Sequence, residues 1–461
     1  MKKIVGLMCA TILLYANNID YSDSLSMDQA LEIVKSDNLE IKAAKFDEEM
    51  ADEDVDIASG YNYGSLNFIQ DVARSNDAGN VFGFKLASRE ATFGDFGARE
   101  FMTATGLNGG TPPDSAYTTP PDALNYPGDY NFFQSKLKYE VALFTGFKLS
   151  SYKSIAEAMK KMKTLDKEQL LNEKIYQIKK SYYDMALLKD AVKNLEIIMK
   201  NIEILENMTQ SMIKEGYAKN VDLLEVQAKK ANVKRLVDQM KSNEKLLYHY
   251  LSFLLNRDVT SIQTPTEDIK MPSLSDADIV ANNLDIKKAS TGLDIRESMV
   301  DAQQASYYPT IGAFGEVSTA DNTFLGKADD HKSYTVGARL TWNIFNGGID
   351  SASVQKAKIE QMKTKTQLEL AKKGIVLQVA KIKTQIESYD EDINSLKKEL
   401  ELADQIYKNY EARYKEHLSS MSDVIIKQSE QIEKILKLEE VRNKRNERIF
   451  ALENISNGDK Q

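Results

Sequence analysis

One cysteine, eight prolines and three histidines are spread over 461 residues, and each scarcity excludes something. A lone thiol, Cys9, cannot form a disulfide within the chain. The prolines are Pro112, Pro113, Pro120, Pro121, Pro127, Pro265, Pro272 and Pro309, so 128–264 and 310–461 hold none, as long uninterrupted helices require. His249, His331 and His417 lack the spacing of zinc ligands, so neither a metal site nor a cofactor is expected. No P-loop, dinucleotide-binding loop or nucleophile elbow is visible, and no enzymatic activity is expected. No run approaches the ~18 consecutive apolar residues of a transmembrane helix. A chain of this kind crosses a membrane only as strands. The net charge of −9 argues against a nucleic-acid partner and favours cations in any lumen the chain encloses.

Residues 1–16 read as a signal peptide: Lys2 and Lys3, then the apolar run from Ile4 to Leu14, then Ala16 as a small residue before the cut. Cys9 sits inside that run after Gly6-Leu7-Met8, a poor context for lipidation.

The stretch from Tyr334 to Gly348, YTVGARLTWNIFNGG, alternates strictly. Tyr334, Val336, Ala338, Leu340, Trp342 and Ile344 share one parity while Thr335, Gly337, Arg339, Thr341 and Asn343 share the other, the mark of a strand with one apolar and one polar face. A second such run, with Phe133, Leu137, Tyr139, Val141 and Leu143 apolar, ends in Phe144-Thr145-Gly146, and that tripeptide lies 201 positions before Phe345-Asn346-Gly347. Two further alternating runs precede these, one with Leu66, Phe68 and Val72 and the other with Ile311, Ala313 and Val317. Four strands in two hairpins result. Trp342, Tyr139 and Tyr334 suit an interfacial aromatic belt.

The hairpins belong to a duplication. Asn38-Leu39-Glu40-Ile41-Lys42 aligns with Asn283-Leu284-Asp285-Ile286-Lys287 at an offset of 245, which also sets Tyr63-Gly64 on Tyr308-Pro309. The excess of the larger offset over the smaller falls in a long Gly-, Pro-, Asn- and Asp-rich loop at 73–130, against a brief turn at 322–332 in the second hairpin. Helical stretches follow each hairpin. Ile178, Tyr182, Met185, Leu188, Val192, Leu195, Met199, Ile202 and Leu205 step by three or four, as a coiled-coil seam does. The outgoing helix, 149–214, is ~100 Å long at 1.5 Å per residue. It stops at Gly216, and Asn220 is the expected N-cap of a return helix to Leu255. Segments 350–416 and 422–455 repeat the plan.

In lipid a sheet edge cannot stay unpaired, so spanning strands close into a barrel. Four strands are too few, since the smallest membrane barrels have about eight. The chain must therefore oligomerise, two copies supplying eight strands and three supplying twelve.

With that order of elements, the Tyr308-Pro309 step, the glycine junctions at Gly146 and Gly347-Gly348, and the two tips, the chain resembles the TolC family of outer-membrane efflux and secretion channels over nearly its whole length. The resemblance implies an α+β membrane protein, internally duplicated, whose homotrimer forms a 12-stranded β-barrel continued by a long periplasmic α-helical barrel. On that plan 1–16 is the signal peptide, 17–64 the first periplasmic helices, 65–146 the first barrel hairpin and 147–258 the first helical hairpin. An equatorial linker follows at 259–274, then periplasmic helices at 275–308, the second barrel hairpin at 309–347, the second helical hairpin at 348–455 and a tail at 456–461. The implied partners are a periplasmic adaptor protein, an inner-membrane pump of RND or ABC type, and outer-membrane lipid. The chain would be a passive exit duct.

The tips align as Glu215-Gly216-Tyr217-Ala218-Lys219-Asn220-Val221-Asp222 and Glu416-His417-Leu418-Ser419-Ser420-Met421-Ser422-Asp423. Both aspartates fall in the first turn of a helix, where the helix dipole alone favours a carboxylate. By resemblance Asp423 lines the pore constriction, and three copies form a ring that raises its own pKa and attracts cations. A second aspartate expected one turn further on is replaced by Ile426. The resemblance also implies a latch from Tyr414 to Asp222 and another from an arginine whose position holds Ser419, with Arg413 or Lys415 as substitutes. Tyr414 is equally suited to simple packing. A different class, a periplasmic or surface coiled-coil structural protein with a small soluble sheet, shares the leader and the helices but leaves the matched hairpins unexplained.

Overall fold

A computed structural model describes residues 24–106, 111–265, 269–272 and 275–457. The expected leader, with Cys9, lies outside them. The described residues divide into two units, one built from 48–163 and 289–368, the other from the remainder.

The first of these units holds the sheet. Strands β1 (Ser65–Ser75), β2 (Tyr130–Phe144), β3 (Thr310–Asp321) and β4 (Lys332–Thr341) pair antiparallel in the order β1-β2-β3-β4. Their registers join the apolar parities into one face. Leu66 lies opposite Tyr139, Tyr139 opposite Gly315 and Gly315 opposite Val336, while Phe68, Leu137, Val317 and Tyr334 form the next row. These side chains meet no core: Phe68 is 69% exposed, Val336 77% and Tyr334 81%. The other face carries Asn67, Lys138, Glu316 and Thr335 in one row, with Lys138 paired to Glu140 at 2.7 Å and Lys136 to Asp71 at 3.4 Å. A sheet with an exposed apolar face and a charged opposite face suits lipid on one side and water on the other. The outer edges of β1 and β4 have no partner strand among the described residues.

Two sequence expectations change here. The alternation from Tyr334 to Ile344 predicts a strand through Trp342 and Ile344, yet β4 ends at Thr341, opposite Thr310. The residue before Thr310 is Pro309, which has no N–H with which to extend the ladder. Trp342 instead donates from Nε1 to the Tyr307 carbonyl at 3.2 Å, as Tyr139 donates its hydroxyl to the Tyr63 carbonyl at 2.6 Å. The described residues of loop 73–130 also hold more regular structure than its composition suggests, with short helices α3 (Ala78–Ala87), α4 (Ala98–Ala104), α5 (Asp114–Thr118) and α6 (Asp122–Asn125). Its aromatics hold it: Phe84 stacks on Phe132 with ring centroids 4.2 Å apart, and Phe82 meets Phe96 edge-on. At the strand-to-helix junction Gly146 has φ +62°, and a Cβ there would lie 2.6 Å from the Ala305 carbonyl oxygen. Only glycine fits.

In the other unit the helices dominate. Here α1 (Met27–Asp37) and α9 (Asp276–Asn282) lead into α2 (Leu39–Gly60) and α10 (Leu284–Gln304), and the long helices α7 (Lys148–Lys214) and α11 (Ile349–Lys415) are returned by α8 (Asn220–Leu255) and α12 (Met421–Ile455). Both long helices have 67 residues, and α2, α7, α10 and α11 pass from one unit into the other. The two breaks between short helices are built alike. Asn38 donates to the Leu254 carbonyl at 2.8 Å and accepts from the Ile41 N–H; Asn283 donates to the Ile455 carbonyl at 2.9 Å and accepts from the Ile286 N–H. Each asparagine thus ends one helix, caps the next and fastens both to the end of a return helix. The duplication read from sequence is repeated in hydrogen bonds.

Much of the expected seam is buried. Ile178, Tyr182 and Met185 pack with Leu251, Leu254 and Ile33, and the Tyr182 hydroxyl donates to the Ser26 carbonyl at 3.0 Å. Leu195, Ile202 and Leu205 are buried towards the tips, while Leu188, Val192 and Met199 are half-buried. Burial of such side chains stabilises by about 1.5–3 kcal/mol each. Other large apolar residues stay exposed on the helices, among them Ile204, Leu246, Phe253 and Leu377.

Candidate functional site

Each tip is a helix stop followed by a helix start. In the first, Gly216 takes φ +83°, and the Tyr217 N–H bonds back to the Met212 carbonyl at 2.8 Å. The second is matched position for position, but its left-handed residue is His417, at φ +61°, with the Leu418 N–H on the Arg413 carbonyl at 2.7 Å. His417 lies against Tyr217, ring centroids 4.8 Å apart.

The helix starts differ too. Asn220 is the first residue of α8 rather than its cap; Lys219 holds the cap position, and the Asp222 carboxylate accepts the Lys219 N–H at 2.8 Å. A lysine side chain has no acceptor to return the bond. Ahead of α12 the capping box is complete: the Asp423 N–H donates to Ser420 Oγ at 3.1 Å, and the Asp423 carboxylate accepts the Ser420 N–H at 3.1 Å and hydroxyl at 2.7 Å. The Ser420 hydroxyl and N–H hold the Asp423 carboxyl below its ordinary pKa, and Arg413 and Lys427 add to this.

Of the residues singled out by sequence, several come together at this tip. Tyr414 is buried in the cluster formed by Leu205, Met212, Val226, Met421 and Val424. Thr209 lies beside its hydroxyl, which among the described residues has no partner of hydrogen-bonding geometry, so the expected bond to Asp222 is not made within one chain. The Asp222 carboxylate is turned to its own helix start, while its charge and burial raise the Tyr414 pKa, burial contributing most. Ser419 donates to the Tyr410 carbonyl at 3.2 Å, closing the end of α11 instead of reaching outward. Arg413 lies over the Tyr410 ring at 5.5 Å, and Lys415 pairs with Glu411 at 3.1 Å. Both substitutes for the arginine latch are thus engaged in their own hairpin. Ile426 is 53% exposed where a second carboxylate was looked for.

Sequence reasoning missed Gln428 and Tyr407. Gln428 is fully buried, and among the described residues neither its amide nitrogen nor its oxygen has a partner; the buried Tyr407 hydroxyl has none there either. The signal was present, since Met421, Val424, Gln428 and Ile435 step along α12 at seam spacing, so that a polar residue occupies a core position. On the neighbouring face, Ser422 donates to Glu225 at 2.7 Å and Lys229 to Ser429 at 2.6 Å, and burial pushes the Lys229 pKa down.

Residues 277–458, almost the whole second repeat, match the family described as Outer membrane efflux protein. The match covers about two fifths of the chain. Its fold is also that of solved outer-membrane channels across both repeats. CusC, described for conformational changes accompanying folding and transmembrane channel formation, aligns over 94% of this chain and 92% of its own with a TM-score of 0.76 at 15% identity. VceC of Vibrio cholerae aligns over 94% and 96% with a TM-score of 0.74 at 14% identity, and the open state of Neisseria gonorrhoeae MtrE over 94% and 89% with 0.72 at 15%. Among curated relatives, Nodulation protein T of Rhizobium leguminosarum bv. viciae is 21% identical over 253 residues, 53% of this chain and 52% of that protein. The chain spans about half the length of the curated relatives it matches. VceC and MtrE are described as an outer-membrane protein and an outer-membrane channel, and the exposed apolar face of this sheet suits such a setting.

Proposed function

We propose that the protein is the exit duct of a tripartite efflux or type I secretion system: a passive conduit, working as a homotrimer with a periplasmic adaptor and an inner-membrane pump. The observation that carries this reading is the four-stranded sheet, apolar on one exposed face, charged on the other and open at both edges. In lipid each open edge leaves a row of unpaired N–H and C=O groups costing several kcal/mol apiece, and pairing β4 of one chain with β1 of the next removes them all. Three chains give twelve strands, a ring wide enough for a water-filled lumen lined by Lys138, Glu316 and their row. The exposed apolar residues on the helices are the surfaces that neighbouring copies cover. A small soluble sheet of a structural coiled coil has no use for Phe68, Val336 and Tyr334 in water.

The tips form the gate of this conduit, and Asp423 is the residue at its mouth. Three carboxylates converging there repel one another, which opposes the depression that Ser420 produces in a single chain and draws cations to the opening. The second hairpin is the one that moves: its interior at Tyr407, Tyr414 and Gln428 holds polar atoms without partners among the described residues, so its packing costs less to disturb. The test is the oligomeric state of the detergent-extracted protein by native mass spectrometry, after salt and carbonate washes of the membrane. Three chains retained in the membrane fraction are expected; a monomer released by carbonate would overturn the reading.

A further inference from the structure

At the sheet end away from the long helices, three segments distant in sequence meet. Glu90 follows α3 in the 76–129 connection, Asp321 ends β3, and His331 stands just before β4. One ligand atom from each, two carboxylate oxygens and an imidazole nitrogen, all lie within 4.8 Å of one another. Asp321 is 5% exposed and His331 7%.

Each group is held in place. The Asp321 carboxylate accepts the Thr323 N–H at 2.9 Å, the Thr323 hydroxyl at 3.0 Å and the Lys327 N–H at 2.8 Å. His331 Nδ1 is 3.0 Å from the Ala320 carbonyl oxygen and 3.3 Å from Asp321 Oδ2, which fixes the ring. The Tyr130 hydroxyl donates to Glu90 Oε2 and leaves Oε1 available. Supporting bonds to the ligating groups are what orient ligands in metal centres. Beside the Tyr130 hydroxyl the fully buried Ser88 hydroxyl lacks a partner of hydrogen-bonding geometry. Lys85, 5.9 Å from the Tyr130 ring, is committed to Asp95 at 2.5 Å.

Two carboxylate groups face a single imidazole, beside the buried Ala320. We propose that Glu90, Asp321 and His331 bind one divalent transition-metal cation of the zinc class, tying the 76–129 connection to the β3–β4 turn. One imidazole with two carboxylates suits such a borderline ion, whereas calcium and magnesium take oxygen ligands and do not select for imidazole. Three protein ligands leave a position for water. The histidine pattern could not reveal the site, because only one of its ligands is a histidine and the three are gathered by the strand register.

The test uses the full-length, tag-free protein in detergent, stripped with chelator and titrated calorimetrically with Zn²⁺, with metal content measured after dialysis. One Zn²⁺ per chain is expected, unaffected by a hundredfold excess of Mg²⁺ and by His249→Ala or His417→Ala, and weakened at least about tenfold by His331→Ala. Because His331 is buried, Glu90→Gln is the second variant; it leaves the β3–β4 turn intact and is expected to weaken binding similarly. Wild type that retains no metal, or binding that Mg²⁺ abolishes or Glu90→Gln leaves unchanged, would overturn the proposal.

Discussion

The two helical hairpins share a backbone plan and invert its chemistry. In the first, Glu206 lies near the surface, accepting from Gln227 at 3.2 Å and from Lys230 at 2.9 Å. Displaced by 201 positions, the same three sites of the second hairpin hold Tyr407, Gln428 and Gln431, all buried; among the described residues Gln431 alone of the three is hydrogen-bonded through its side chain, to Asp404 at 3.0 Å. The tips diverge likewise: glycine and an uncapped lysine in one, a left-handed histidine and a full capping box in the other. The two copies share their turn geometry, while the second has a secured helix start and, among the described residues, an unsatisfied interior.

The largest effect expected from breaking this contrast is at the paired glutamines. Gln428→Leu removes two buried unpartnered polar atoms and is expected to stabilise the second hairpin by about 1–3 kcal/mol, whereas Gln227→Leu stays within about 0.5 kcal/mol. Amide hydrogen exchange over 404–436 and 203–234 reads both; equal protection changes would remove the distinction. Next come the helix starts. Ser420→Ala should cost about 1 kcal/mol of local stability and Lys219→Ala almost nothing, seen as faster exchange confined to the start of α12. Because the Asp423 pKa is depressed in the folded chain, its share of the cap is present above the ordinary aspartate pKa near 3.9 and is lost as pH falls through the depressed value. The difference between the two variants should therefore narrow in acid. The smallest effect is at the left-handed residues, where His417→Gly should slow exchange at 416–418 by up to about 1 kcal/mol and Gly216→Ala should do the reverse at the first tip.

The parts legible in sequence were those governed by period and punctuation. Alternation located all four strands, and missing prolines located 67-residue helices to within a residue or two. The duplication aligned Asn38 with Asn283, and both stand at helix breaks, where asparagine side chains compete with the helix backbone. Features set by register or by facing helices were not legible: Trp342 leaving the ladder opposite Pro309, Tyr414 buried without a bond to Asp222 inside its own chain, and the burial of Gln428 when its counterpart Gln227 is exposed. The cluster of Glu90, Asp321 and His331 belongs to the same class, since nothing local links positions so far apart.

The most direct test of the account is single-channel conductance of the purified protein in a planar bilayer, measured with cation selectivity for wild type and Asp423→Asn. Small cation-selective steps whose selectivity falls in the variant are predicted for a conduit with Asp423 at its mouth. Conductance with selectivity unchanged in Asp423→Asn would contradict the placing of Asp423, and no conductance from an intact trimer, even after Tyr414→Phe, would contradict the conduit itself.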